Sequence, residues 1–296
     1  MKYVITGSLG HISRAIVTKL ISSGHEVTVI SSKSDKKSEI EAMGAKAAIG
    51  SVEDSAFLSK TFTGADAVYT MVPPTFAAAD WKAHIASIGK NYADAIRTAG
   101  VKNVVNLSSI GAHMPTGCGP VSGLYQVESE LNKLEGVNVK HLRPGFFYYN
   151  FLNSAGMAKH MGIIGGNYGE NAQLYISDTN DIADAAVEEL TKLNFSGKSV
   201  RYQISDSKTT SEIASVFGKA IGKPELPWVN FKDEDSFNGM VQAGLPAEVA
   251  KNYVEMGTAM RSGAMIEDLL KNGTGVSGKV KLEDFAGSFV SAYQAS

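Results

Sequence analysis

Gly7, Gly10 and Ser13 stand at three-residue intervals in Thr6-Gly7-Ser8-Leu9-Gly10-His11-Ile12-Ser13, directly after the β-branched run Tyr3-Val4-Ile5. A glycine at the end of a strand permits a sharp turn, and a second lets backbone amides come close to an anion. Ile12, Ala15, Ile16, Val17, Leu20 and Ile21 then recur at helical spacing up to Gly24, so the turn opens a helix. The first amides of that helix lack intrahelical partners and carry the positive end of its dipole, which suits a pyrophosphate. Gly7, Ser8, Leu9, Gly10, His11 and Ile12 are therefore expected to hold a dinucleotide, with His11 either near a phosphate or on a solvated face. Ser13 replaces the third glycine of the usual pattern, where a small residue lets helix and strand pack closely.

The choice between dinucleotides is made just beyond the second strand, where an acidic residue would bond a free ribose 2′-hydroxyl. Here Val27-Thr28-Val29-Ile30 runs into Ser31-Ser32-Lys33, with Lys36 and Lys37 shortly after. Hydroxyls and an ammonium suit a 2′-phosphate, so the expected cofactor is NADP(H) rather than NAD(H).

A proton relay of the short-chain dehydrogenase kind needs a tyrosine and, four residues on along one helix face, a lysine that lowers the phenol pKa. Tyr125 is followed at that spacing by Ser129, and Lys133 lies a further turn away, about 12 Å from Tyr125 along a helix. No such relay is expected. A metal site is not expected either, because six histidines and one cysteine, Cys118, are scattered without ligand spacing. There is no Gly-x-Ser-x-Gly elbow and no P-loop.

The elements that must position these residues alternate short apolar strands with longer helical patterns. Strands are expected at Tyr3 to Ile5, Val27 to Ile30, Ala45 to Ile49, Ala67 to Met71, Val104 to Leu107 and Val139 to Leu142. Continuous apolar strands separated by crossover helices make an α/β, Rossmann-type doubly wound parallel sheet. Beyond residue 150 the pattern loosens around Gly162, Gly165, Gly166 and Gly169. A strand is then expected at Gln173 to Ile176, a helix over Asp181 to Leu190, a strand at Val200 to Ile204 and a helix over Ser211 to Ile221. The expected organisation is a dinucleotide-binding core over 1–150 and a smaller α/β substrate-side lobe over 151–296, interleaved with that core.

Composition excludes several classes. The chain has 296 residues, a formal charge of −2 and no basic cluster, so a nucleic-acid partner is not expected. No apolar run approaches a membrane span or a signal peptide, and a lone cysteine makes no use of an oxidising compartment, which points to the cytoplasm.

Several stretches together resemble the NmrA-like, atypical short-chain dehydrogenase/reductases, including the quinone-reductase and triphenylmethane-reductase branches. They are Val4-Ile5-Thr6-Gly7-Ser8-Leu9-Gly10-His11-Ile12, Ala99 to Ser109, Leu142-Arg143-Pro144-Gly145-Phe146-Phe147 with Asn150 beyond, Asp181-Ile182-Ala183 and Leu282 to Phe285. The resemblance implies that Met71, Val72, Pro73 and Pro74 pass beside the cofactor ribose and that Ser108 and Ser109 lie near the nicotinamide. It also implies that Pro144, Gly145, Phe146 and Phe147 line the other side, although packing alone accounts for at least two of Phe146, Phe147, Tyr148 and Tyr149.

The expected activity is NADP(H)-dependent hydride transfer to a quinone or similar conjugated acceptor. Such acceptors are strong electrophiles, so positioning matters more than an activated base. Tyr125, Ser109, Tyr148 and Asn150 are the candidate positioning groups, and Met157, Met161, Met240, Met256 and Met260 are candidate pocket or core residues. The alternative is a non-catalytic NADP(H) sensor acting through a protein partner. A sugar-nucleotide epimerase, which must remove a substrate proton with an activated base, fits poorly.

Overall fold

A computed structural model describes residues Met1–Ser296. The first half runs β1 (Lys2–Ile5), α1 (His11–Ser22), β2 (Glu26–Ser31), α2 (Lys37–Ala42), β3 (Lys46–Ile49), α3 (Ser55–Phe62), β4 (Ala67–Thr70), α4 (Trp81–Ala99), β5 (Asn103–Leu107), α5 (Pro120–Asn132) and β6 (Asn138–Pro144). The chain then passes through β7 (Phe146–Phe147), a 3-10 segment (Tyr148–Ser154), α6 (Ala155–His160), β8 (Ile164–Gly166) and β9 (Gln173–Ser177). It continues with α7 (Thr179–Lys192), β10 (Lys198–Gln203), β11 (Asp206–Thr209), α8 (Thr210–Ala220) and β12 (Trp228–Asn230). Four helices end the chain: α9 (Asp233–Gln242), α10 (Ala247–Ser262), α11 (Glu267–Asn272) and α12 (Leu282–Ala295).

Seven strands form one sheet in the order β10-β6-β5-β4-β1-β2-β3, and every pair in it is parallel. Side-chain alternation divides the strands between two layers. Ile5, Tyr69 and Val105 pack with Ile16 and Leu20 of α1 and Ile182 of α7 on one face. Val4, Val68 and Val104 pack with Ile88 of α4 and Val127 of α5 on the other. The α4–α5 contact is close because both helices carry glycine there; a Cβ on Gly89 would meet the Val127 backbone at 2.7 Å.

The strand expected at Val200 to Ile204 proves to be β10, the seventh strand of the main sheet, paired with β6 from Lys198↔Val139 to Gln203↔Pro144. Helix α7 precedes it and packs beside α1. The segment Thr179–Gln203 thus belongs to the main sheet and its α1 layer although it follows residue 150. Periodicity located these elements, but only long-range pairing decides which sheet a strand joins. The remaining elements form a three-stranded sheet, β11-β9-β7, and a two-stranded one, β12-β8, over a third core built on Phe151, Phe217 and Phe289. No helix is long and apolar enough to cross a membrane.

β1 lies between β4 and β2, so the chain reverses its winding direction there. In an open α/β sheet the crevice beyond the carboxyl ends of the strands at such a switch point receives ligands.

Candidate functional site

The turn after β1 occupies that switch point. Gly7 has φ +87 and Ser8 φ +53, so the left-handed conformation is carried by these two residues. A Cβ on Gly7 would lie 2.7 Å from Ser13 Oγ and 2.9 Å from Met71 Sδ. Gly10 is extended, with φ −66 and ψ 171, and caps α1 without any side-chain hydrogen bond. The helix amides are therefore left open to a ligand. Ser13 compensates for the missing third glycine: it is buried, and its hydroxyl donates to the Thr6 carbonyl at 2.9 Å, tying α1 to β1.

The turn forms one wall of a cleft of about 350 Å³. Gly7, Ser8, Gly10, His11, Ile12, Ser31, Ser32, Met71, Pro73 and Phe147, all expected at the cofactor, come together around it. Met71 is held from two sides, its N–H donating to Thr6 Oγ1 at 2.9 Å and its carbonyl accepting from the Tyr92 hydroxyl at 2.6 Å. At the β2 end, Ser8 Oγ donates to Ser31 Oγ at 2.9 Å, and Ser31 Oγ also accepts from the Lys33 N–H at 3.2 Å.

The three lysines beyond β2 are not equivalent. Lys36 bonds Glu39 at 2.9 Å and Lys37 pairs with Glu41 at 3.9 Å. Glu39 is also bonded by Arg14, and these hydrogen bonds hold its carboxyl below the usual range. Lys33 is exposed and has no carboxylate partner. The uncapped helix, the cradle that a Cβ on Gly7 would fill and the hydroxyl pair beside a free ammonium together fit a phosphorylated dinucleotide.

Several expected site residues lie elsewhere. Leu9 is buried in the α1 layer and Val72 packs against the α4 layer. Ser108 is buried, and its hydroxyl donates to Glu128 of α5 at 2.5 Å, away from the cleft. Pro144 is buried. Gly145 answers to a close crossing of backbones, since a Cβ there would lie 2.2 Å from the Tyr175 carbonyl oxygen. Phe146 packs on Phe151 and Tyr168 in the second lobe.

The candidate catalytic groups scatter as well. Tyr148 is buried, its hydroxyl donates to the Val280 carbonyl at 2.9 Å, and burial raises its pKa, so it is a structural residue. Ser109, Tyr125 and Asn150 are half-buried and stand outside the cleft wall. Lys133 bonds Glu130 at 2.6 Å, so it does not serve Tyr125. Of the methionines, Met161 is exposed while Met256 and Met260 pack beside Cys118 and Ile204, so they form no common pocket.

Sequence reading missed part of the cleft. Gly50, Ser51, Val52 and Glu53 follow β3 into it, and His84 and Ile88 enter from α4. Asn91 Nδ2 holds the loop after β3 by the carbonyls of Val52 at 3.3 Å and Glu53 at 3.0 Å. The position after β3 was a signal in the sequence, because each parallel strand ends at the same edge. Of the four aromatics Phe146 to Tyr149, Tyr149 lines the cleft with Phe147, stacked on His11 with ring centres 5.1 Å apart. Burial raises its pKa.

Three proteins of known activity are similar to this chain in sequence or fold. The chain is 26% identical to an NAD(P)H azoreductase of Xenophilus azovorans over 255 residues, which is 86% of this chain and 85% of that protein. An NADPH-dependent quinone oxidoreductase of Escherichia coli, solved in complex with NADPH, superposes with a TM-score of 0.82 at 20% identity, covering 97% of this chain and 99% of that one. A triphenylmethane reductase of Citrobacter sp. superposes at 0.81 with 19% identity over 98% and 100% of the two chains. The NmrA-like family matches residues 2–268, and with the doubly wound sheet and its glycine turn in place, the chain belongs to that family.

Proposed function

We propose that this protein binds NADP(H) in the cleft beyond β1 and β2 and uses it to reduce a quinone or similar conjugated acceptor. The observation that carries the reading is the open amino end of α1 beside Ser31, Ser32 and the unpaired Lys33, where β2 ends in serines rather than an acidic residue. The relatives named for NADPH, quinones, dyes and azo compounds support it.

When bound, NADPH supplies a hydride, two electrons with one proton, to the acceptor, and water supplies the second proton. The turn amides of α1 hold the pyrophosphate, Ser31, Ser32 and Lys33 take the 2′-phosphate, and the pinned Met71 backbone supports the ribose side. Phe147 and Tyr149 exclude water from the opposite wall and orient the ring to be reduced. The chain offers no tyrosine–lysine pair, and an electrophilic acceptor does not require one.

Calorimetric titration with NADPH and NADH tests the cofactor assignment. Tight binding of NADPH, weakened about tenfold in Lys33→Ala with NADH unaffected, is the expected result; equal affinities for both dinucleotides contradict it. A panel of quinones, dyes and enones then tests turnover.

A dinucleotide sensor is the second reading, favoured by the position of Tyr125, Ser109 and Asn150 outside the cleft. It requires different affinities for NADPH and NADP⁺, a protein partner and no turnover across the acceptor panel.

A further inference from the structure

Five tyrosines are buried: Tyr3, Tyr69, Tyr92, Tyr148 and Tyr202. Four of their hydroxyls have protein partners: Tyr3 bonds the Leu190 carbonyl, Tyr92 the Met71 carbonyl, Tyr148 the Val280 carbonyl, and Tyr202 both Arg143 and Asp268. The Tyr69 hydroxyl has none, although the residue is 0% exposed. Tyr69 is also the one of the five that lines the cleft. Other buried polar side-chain atoms without a partner belong to His113, Ser199, Trp228, Ser236 and Asn252, and none of these residues lines the cleft.

The protein acceptors nearest in the fold are engaged elsewhere. Tyr69 pairs with Ile5 at the end of the β1–β4 ladder. Just beyond, the Thr6 carbonyl accepts from Ser13 Oγ at 2.9 Å and the Met71 carbonyl from the Tyr92 hydroxyl at 2.6 Å. Burial raises the Tyr69 pKa, so the group stays a neutral donor. A buried donor left unbonded costs stability unless something in the cleft completes it.

The cleft has two unlike ends. On the β2 and β3 side of β1 it carries Ser31, Ser32, Ser51 and Glu53. On the β4 and β5 side it is lined by Ile12, Tyr69, Met71, Leu107 and Phe147, which belong to or pack against one apolar core. An apolar pocket with a single placed donor suits a flat ring that carries one acceptor.

We propose that the Tyr69 hydroxyl donates a hydrogen bond to the carboxamide oxygen of the nicotinamide and so orients the ring at the apolar end of the cleft. The proposal rests on the NADP(H) reading above: with the 2′-phosphate at Ser31, Ser32 and Lys33 and the pyrophosphate at the β1 turn, the nicotinamide half extends over β4 and β5. The carboxamide oxygen is the acceptor that this ring carries. Fixing it fixes which face of the ring meets the acceptor to be reduced. Tyr69 gives up no proton and stays a phenol in either redox form of the cofactor.

Tyr69→Phe keeps the ring and removes only the hydroxyl. Without ligand, its urea midpoint should equal or exceed that of the wild type, because a hydroxyl without a partner contributes no bond to the fold. A lower midpoint would assign the hydroxyl a protein partner and overturn the proposal. Calorimetric titration then compares three ligands. The variant should bind NADPH about three- to tenfold more weakly, the worth of one neutral hydrogen bond. The thionicotinamide analogue of NADPH, whose sulfur is a weak acceptor, and 2′,5′-ADP, which lacks the nicotinamide, should bind both proteins alike. Wild-type affinity for NADPH in the variant, or an equal loss with NADPH and the thionicotinamide analogue, overturns the proposal and leaves the cofactor reading standing. Failure of the wild type to bind NADPH removes the cofactor reading itself, and the proposal with it.

Discussion

Ser108 Oγ donates to Glu128 Oε1 at 2.5 Å, and the same carboxylate takes two bonds from Arg143, at 2.9 Å from Nε and 2.6 Å from Nη2. The residue following β5 is thus anchored to α5 and β6. Arg143 Nη1 extends the network to the Tyr202 hydroxyl at 3.1 Å and to Asp268 of α11 at 2.9 Å, while Tyr202 also bonds Asp268. One buried charge cluster therefore joins β5, α5, β6, β10 and α11 at the carboxyl edge of the sheet.

Removing one partner strands the other. Glu128→Ala leaves the Arg143 charge buried at 8% side-chain exposure and unpaired on that side, which should destabilise the protein by about 3–5 kcal/mol. Urea unfolding monitored by circular dichroism measures it, and a loss below about 1 kcal/mol would show that the pair is structurally dispensable.

Gly7→Ala tests the turn against a glycine control. Both Gly7 and Gly24 have positive φ, but only Gly7 has atoms within 3 Å of the added Cβ. Gly24→Ala should cost about 1–2 kcal/mol from backbone strain alone and leave dinucleotide binding intact. Gly7→Ala should cost more and abolish binding; equal effects at the two positions would contradict the close packing of the turn on Ser13 and Met71.

His141 is buried between Asn106, whose Nδ2 lies 3.1 Å from its Nδ1, and Asn132, whose Oδ1 lies 3.0 Å from its Nε2. Burial lowers its pKa from 6.5 to about 4. The unfolded chain then binds the proton more readily than the folded one, so His141 contributes stability above pH 6.5 that is lost as the pH falls toward 4. The full effect is roughly 3 kcal/mol. His141→Gln should show a shallower fall in urea stability between pH 7 and 4.5 than the wild type, and parallel profiles would remove His141 as the cause.

Cys118 is fully buried, and burial raises its thiol to about 12. A thiol reagent at pH 8 should leave it unlabelled in the native protein and react fully after denaturation. Rapid native labelling would place it in a segment that opens locally.

The sequence by itself determined the doubly wound fold, the glycine turn and the basic loop beyond β2, because each depends on local chemistry. Apolar periodicity specifies strands and helices, a glycine pair at a strand end specifies the turn, and the residues following β2 meet whatever occupies the switch point. The absence of a tyrosine–lysine relay was equally legible, since helical spacing alone separates Tyr125 from Lys133. Tertiary structure decided which hydroxyls face the cleft. Ser108 and Ser109 follow β5 toward the ligand edge in sequence, yet neither lines the cleft, and Ser108 is turned toward a charge pair supplied by α5 and β6. Tyr148 and Tyr149 are adjacent and alike in sequence, and a single step along the 3-10 segment buries one hydroxyl on Val280 and leaves the other in the cleft wall. Helix α10 meets the start of α4 and the segment after β8 through bonds between residues far apart in the chain, from the Trp81 N–H to Glu248 and from Asn167 to the Val254 carbonyl. Side-chain direction and contacts between distant segments follow from packing in three dimensions, and no local periodicity encodes them.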